Sequence, residues 1–175
     1  MIVLDTNVIS EPLRPLADPG VVAWLDIQPK ETLYLCAPVL MEVLLGIALL
    51  PGGKRKASMT TVMQATLANY FVDRFLAFER EAAVVYASLA SRSSSRGNSI
   101  SVADCQIAAI AAVHGFTVAT RDTAPFRAAG VPTVNPWKIR RKLVESPEPT
   151  LIRLPQLVIL RPEKLQPFFF SNVCR

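Results

Sequence analysis

The 175-residue sequence predicts an α/β fold: a parallel-stranded sheet flanked by helices, with an irregular C-terminal extension. Three observations carry this. Short unbroken apolar runs, such as Ile2-Val3-Leu4 and Phe116-Thr117-Val118-Ala119-Thr120, suit strands buried on both faces. Helical stretches separate these runs, and such alternation argues for a parallel sheet between helical layers. Hydrophobic residues make up 51% of the chain and charged ones 19%, which allows a core and argues against general disorder.

In chain order, the first strand runs into Asp5, and Thr6-Asn7 read as a turn before Val8-Ile9-Ser10. Pro12, Pro15, Pro19 and Gly20 break up any long helix, leaving Val21–Leu25 as a short one with a buried apolar face. Thr32–Cys36 is β-rich and predicts the second strand. Pro38 then suits the first turn of a helix that runs to about Leu50 and stops at Pro51-Gly52-Gly53. Lys54 opens a longer helix to about Tyr70, Arg74–Phe78 predicts a third strand, and Glu79–Ser91 a further helix. Arg92–Asn98 reads as a loop. Ser101–His114 is an Ala-rich helix with Gly115 just past its end. Phe116–Thr120 is a strand, and Val131–Val134 a short edge strand because it contains Pro132.

The net charge of +5 is unevenly placed. Residues 1–137 hold 11 basic and 11 acidic side chains, whereas residues 138–175 hold 8 basic and 3 acidic. The tail also carries five prolines and no helical or strand period, so the expected division is a domain over 1–137 and a weakly structured basic extension over 138–175. Cys36, Cys105 and Cys174 have no metal-type spacing and read as thiols of a reducing compartment. The longest apolar run, Val43–Leu50, is far short of a membrane span, and the N-terminus lacks a signal-peptide pattern. The expectation is a cytoplasmic protein with no membrane partner.

Four acids occupy equivalent places: Asp5 ends the first strand, Glu42 lies early in the helix after the second, Asp104 in the first turn of the Ala-rich helix, and Asp122 just beyond a late strand. In a parallel sheet, strand ends and the starts of following helices share one edge, so these carboxylates can converge there. Each also has an ordinary reading, such as a helix cap for Ser101-Val102-Ala103-Asp104 or dipole compensation for Glu42. Like charges ~4 Å apart repel by about 4 kcal/mol at an effective dielectric of 20, so a cluster requires protons or a cation. All-oxygen donors point to Mg²⁺, with Mn²⁺ possible, and such ions commonly act on phosphodiesters.

Leu-Asp-Thr-Asn-Val-Ile-Ser at 4–10, Glu42, Ile-Ser-Val-Ala-Asp at 100–104 and Ala-Thr-Arg-Asp at 119–122 resemble PIN-domain ribonucleases. The likeness is to VapC-type toxins of toxin–antitoxin pairs, and Ser10–Pro15, Gly46–Pro51 and Val134-Asn135-Pro136-Trp137 resemble their FitB-like branch. The resemblance covers residues 1–137 and implies an endoribonuclease that leaves a 5′-phosphate and a 3′-hydroxyl. It implies an acidic core of Asp5, Glu42 and Asp104, with Asp5 and Asp104 on the metal and Asp122 as fourth acid. Thr6, Asn7, Ser101 and Thr120 would orient carboxylates and water. Arg14 and Arg121 flank the proposed acids in sequence and are the better candidates to grip substrate backbone, with solvated surface charge the ordinary reading of each. One departure stands out: such relatives often have Asn where this chain has Asp122, and an Asp where it has Pro125 before Phe126.

The resemblance also implies an RNA substrate, a VapB-type antitoxin, a homodimer, and DNA contact only through the antitoxin. The apolar helices at 21–25 and 54–71 could supply dimer or antitoxin surface, and core packing explains them equally well. The competing reading is a toxin–antitoxin DNA-binding component with weak or no nuclease activity. A haloacid-dehalogenase-type phosphatase is disfavoured because Asn7 stands where that family needs a second Asp.

Overall fold

The structure is a computed structural model that describes residues 1–95 and 100–143, with side chains described through Ile139. Its strands are β1 (Ile2–Leu4), β2 (Leu33–Cys36), β3 (Phe75–Leu76), β4 (Thr117–Ala119) and β5 (Thr133–Val134). They form one sheet in the order β3-β2-β1-β4-β5, and every pairing is parallel. The helices are α1 (Thr6–Ser10), α2 (Pro19–Ile27), α3 (Ala37–Ala48), α4 (Lys54–Tyr70), α5 (Arg80–Ser95), α6 (Val102–His114), α7 (Ala124–Ala128) and α8 (Pro136–Leu143). The expected parallel sheet flanked by helices is therefore what forms, with β5 at an edge immediately after Pro132.

Val3, Leu4, Leu35, Cys36, Val118 and Ala119 from the central strands are buried, and α6 closes over them with Ile107–Ala111 fully covered. The run of alanines lets that helix approach the sheet and α5 closely. Gly115 ends it in the left-handed region (φ 66°), where its N–H reaches back to Ala111 and Ala112 carbonyls.

Several expectations are corrected. Thr6-Asn7 is no turn: the Asp5 carboxylate caps α1 directly, so the chain passes from strand to helix without a loop. α5 continues through Ser95, where a loop was expected from Arg92; the rest of that stretch, 96–99, lies outside the described residues. α2 begins at Pro19 under an Asp18 cap, longer than the expected Val21–Leu25. α7 had no counterpart in the sequence reading. The boundary at 137 falls inside α8, because the Asn135 side chain accepts from Trp137 N–H (3.0 Å) and starts a helix that packs on α2. The rest of the tail, 144–175, lies outside the described residues.

Val21, Trp24 and Leu25 of α2 and Val62 and Met63 of α4 face the core. Exposed apolar side chains are scattered, at Leu16, Ile27, Val72, Val84 and Val102 among others, but they cluster on α3 and just past its end, at Met41, Leu44, Leu45 and Leu49. Among the described residues, no helix is long and apolar enough to cross a membrane.

Candidate active site

The chain builds β1, β2 and β3 outward in one direction, then returns to place β4 and β5 on the other side of β1. Strand order therefore reverses between β1 and β4, and the crevice at their carboxyl ends is where such sheets bind ligands. Asp5 follows β1 there and is only 4% exposed. Its Oδ1 accepts from Thr6 N–H (2.7 Å), and its Oδ2 from the Thr120 hydroxyl across the switch point (2.6 Å) and from the Asn7 amide. Thr120 is fully buried, and its oxygen also accepts from Asp122 N–H (3.1 Å). Asn7 in turn accepts from Arg121 N–H (3.0 Å).

The cleft above Asp5 is lined by Thr6, Asn7, Ser10, Glu11, Arg14, Glu42, Asp104, Arg121 and Trp137 as well. Three of the four expected acids thus meet. Glu42, half-buried one turn into α3, accepts from the Thr6 hydroxyl. Asp104 accepts from the Ser101 hydroxyl (2.7 Å), while Ser101 Oγ caps Asp104 N–H (3.0 Å). This is the ordinary helix-capping role and the site role in one arrangement. Asp122 is the exception: it is exposed, is not among the cleft-lining residues, and accepts from Ala124 N–H (3.3 Å).

An acid that the sequence reading missed does line the cleft. Glu11 is 3% exposed and accepts from Asp18 N–H (2.8 Å) and from Arg14 Nη1 (3.0 Å). Arg14 is therefore ion-paired to Glu11 at the cleft, with its side chain still 57% exposed. The signal available in the sequence was the i,i+3 spacing of Glu11 and Arg14 on either side of Pro12. Trp137 is the second omission: the Arg121 guanidinium lies 5.4 Å from its ring centroid.

Burial raises the Asp5 carboxyl above its ordinary value of 3.8. The bonds from Thr120, Thr6 and Asn7 oppose that rise, while the Asp104 charge adds to it. Burial likewise pushes the Cys36 thiol up to about 12, with the Asp5 and Glu42 charges contributing. Negative potential thus reaches into the sheet beneath the cleft.

Among the described residues, no three His, Cys, Asp or Glu side chains stand where they could jointly hold a metal ion. The expected compact ligand set is not preformed, because each carboxylate is drawn to its own hydroxyl: Asp5 to Thr120, Glu42 to Thr6, Asp104 to Ser101. The donor chemistry still fits a hydrated hard cation. Mg²⁺ keeps several waters and needs only one or two carboxylates, and the mutual repulsion of Asp5 and Asp104 is what a cation would relieve.

A PIN domain is matched over residues 2–131. The chain belongs to the PIN-domain family. The chain is 45% identical over 138 residues to the VapC ribonuclease Y4jK of Sinorhizobium fredii, covering 79% of this chain and 99% of that protein. It is 47% identical over 137 residues to the toxin FitB of Neisseria gonorrhoeae, covering 78% and 99%. The crystal structure of FitAcB from Neisseria gonorrhoeae superposes with a TM-score of 0.75 at 46% identity, covering 79% of this chain and 99% of that one. A structure of FitAB bound to a DNA fragment gives the same TM-score at 47% identity, covering 78% and 96%. The VapC- and FitB-type assignment made from the motifs stands.

Proposed function

We propose that this PIN-domain chain is a metal-dependent endoribonuclease toxin neutralised by a cognate antitoxin. The observation that carries this reading is the convergence of Asp5, Glu42 and Asp104 on one cleft at the switch point, with Asp5 buried and its carboxyl pushed up. Asp5 and Asp104 would hold Mg²⁺ or Mn²⁺, which when bound supplies charge neutralisation and a water of lowered pKa. Thr120, Thr6 and Asn7 fix the Asp5 carboxylate, so little reorganisation remains at the moment of reaction. Glu42, steadied by the Thr6 hydroxyl, orients the attacking water and takes its proton. In-line attack on phosphorus breaks the P–O3′ bond and leaves a 5′-phosphate and a 3′-hydroxyl. Asp122 acts indirectly, through the Thr120 hydroxyl that its N–H engages.

The partners follow the same reading: a VapB-type antitoxin, DNA only through that antitoxin, and a second copy of the chain. The exposed α3 face at Met41, Leu44 and Leu45 supports a homodimer better than α2 or α4 does. The test is cleavage of single-stranded RNA by the full chain with Mg²⁺, compared with Asp5→Ala and Glu42→Gln. Losses of at least a hundredfold are expected in both variants. Equal cleavage by Asp5→Ala would favour the second reading, a DNA-binding component with little nuclease activity, which the unassembled acid cluster and the DNA-bound FitAB structure keep in play.

A further inference from the structure

We infer that Trp137 and Arg121 form a seat on which one unpaired RNA base stacks beside the phosphate being cut. This rests on the ribonuclease reading above. Trp137 is partly buried against the body yet lines the acidic cleft, and the Arg121 guanidinium lies over its indole. The two cleft arginines differ in kind. Arg14 is ion-paired to Glu11, whereas Arg121, among the described residues, makes no ion pair.

The backbone under the pair is fixed from behind. Asn135 Nδ2 donates to the Arg121 carbonyl (2.8 Å), and Asn135 Oδ1 accepts from Trp137 N–H (3.0 Å). Arg121 N–H donates to Asn7 Oδ1 (3.0 Å), and the Asn7 amide donates to Asp5. One short chain of hydrogen bonds therefore sets the backbone from which the indole and guanidinium project relative to the acid at the centre of the site. A phosphate alone would use the guanidinium and ignore the indole, and an aliphatic side chain would use the indole and ignore the charge. A nucleobase uses both, because bases stack on aromatic rings and on guanidinium planes alike. Every base has such a face, so the seat sets register and affinity without choosing sequence.

The molecule supplies its own reporter. Its two tryptophans are Trp24 and Trp137, and Trp24 is 5% exposed within the core, so a fluorescence response to RNA belongs to Trp137. The probe is a single-stranded oligoribonucleotide containing a mapped cut site, titrated into full-length Asp5→Asn protein so that it binds without being cut. Quenching is expected, and an oligonucleotide abasic at the stacked position should bind roughly tenfold more weakly without quenching. In cleavage assays, Trp137→Ala should raise KM about tenfold with kcat within about twofold, Trp137→Phe should restore most of the loss, and Trp137→Ala should lose nothing further on the abasic substrate. RNA that binds and is cut without quenching, or Trp137→Ala and abasic losses that multiply, would overturn the seat while leaving the nuclease intact. An intact chain that neither binds nor cuts RNA would overturn both.

Discussion

Replacing Thr120 by Val isolates the bond that closes the switch point. The two side chains have nearly the same shape, and Thr120 is fully buried in a strand-end position that suits a β-branched residue, so no cavity or backbone strain is introduced. What disappears is the 2.6 Å bond donated to Asp5 and the acceptor for Asp122 N–H at 3.1 Å. A hydrogen bond to a charged group contributes about 1.5–3 kcal/mol and a neutral one about 1, so the expected loss is roughly 3 kcal/mol. For a domain of this size that lowers Tm by on the order of 10 °C. The loss should also depend on pH. Burial already raises the Asp5 carboxyl, and the Thr120 bond opposes that rise, so the variant's Asp5 lies higher still. A raised carboxyl favours folding below the ordinary value of 3.8 and loses that contribution as pH climbs through the folded value. The gap between Thr120→Val and the parent protein should therefore widen from acid to neutral pH. Urea unfolding in EDTA across that range measures it. A gap that stays flat with pH would mean that the hydroxyl does not serve the ionised carboxylate, and the account of how Asp5 is held would fail.

Three further outcomes follow from the same geometry. Mg²⁺ added to metal-stripped protein should raise Tm by several degrees at neutral pH and by much less in acid, where the raised Asp5 carboxyl holds its proton; calorimetry showing equal shifts at both would argue against Asp5 as ligand. Glu11→Ala should cost about 2–3 kcal/mol in denaturant unfolding, because Asp18 N–H and Arg14 lose a buried acceptor. Native protein at pH 8 should leave Cys36 unalkylated by iodoacetamide, with rapid labelling after unfolding. Its thiol is buried and pushed up to about 12, so peptide mass mapping that finds Cys36 modified in the folded state contradicts its surroundings.

The sheet and the three central acids were legible because they depend on short-range pattern: an apolar run ending in Asp5, a capped Ala-rich helix carrying Asp104, a helix start carrying Glu42. What pattern cannot give is the direction of a side chain off a loop. Asp122 follows β4 in sequence just as Asp5 follows β1, yet its carboxylate turns to Ala124 N–H and away from the cleft. Glu11 was hidden for the converse reason: a proline-broken segment reads as surface, but its 3-10 turn folds the acid inward under Arg14. The helix crossing residue 137 depends on one asparagine side chain acting as a cap, which charge counts over the tail could not reveal.

The Asp5–Thr120 bond joins residues 115 positions apart. A polypeptide leaving the ribosome carries Asp5 and its neighbours Thr6 and Asn7 almost at once, but the Thr120 hydroxyl joins them only when the fourth strand has been made and has slotted in beside the first. The cleft at the switch point is thus closed by a contact between an early and a late strand, and a chain that stops short of the late strand cannot complete it.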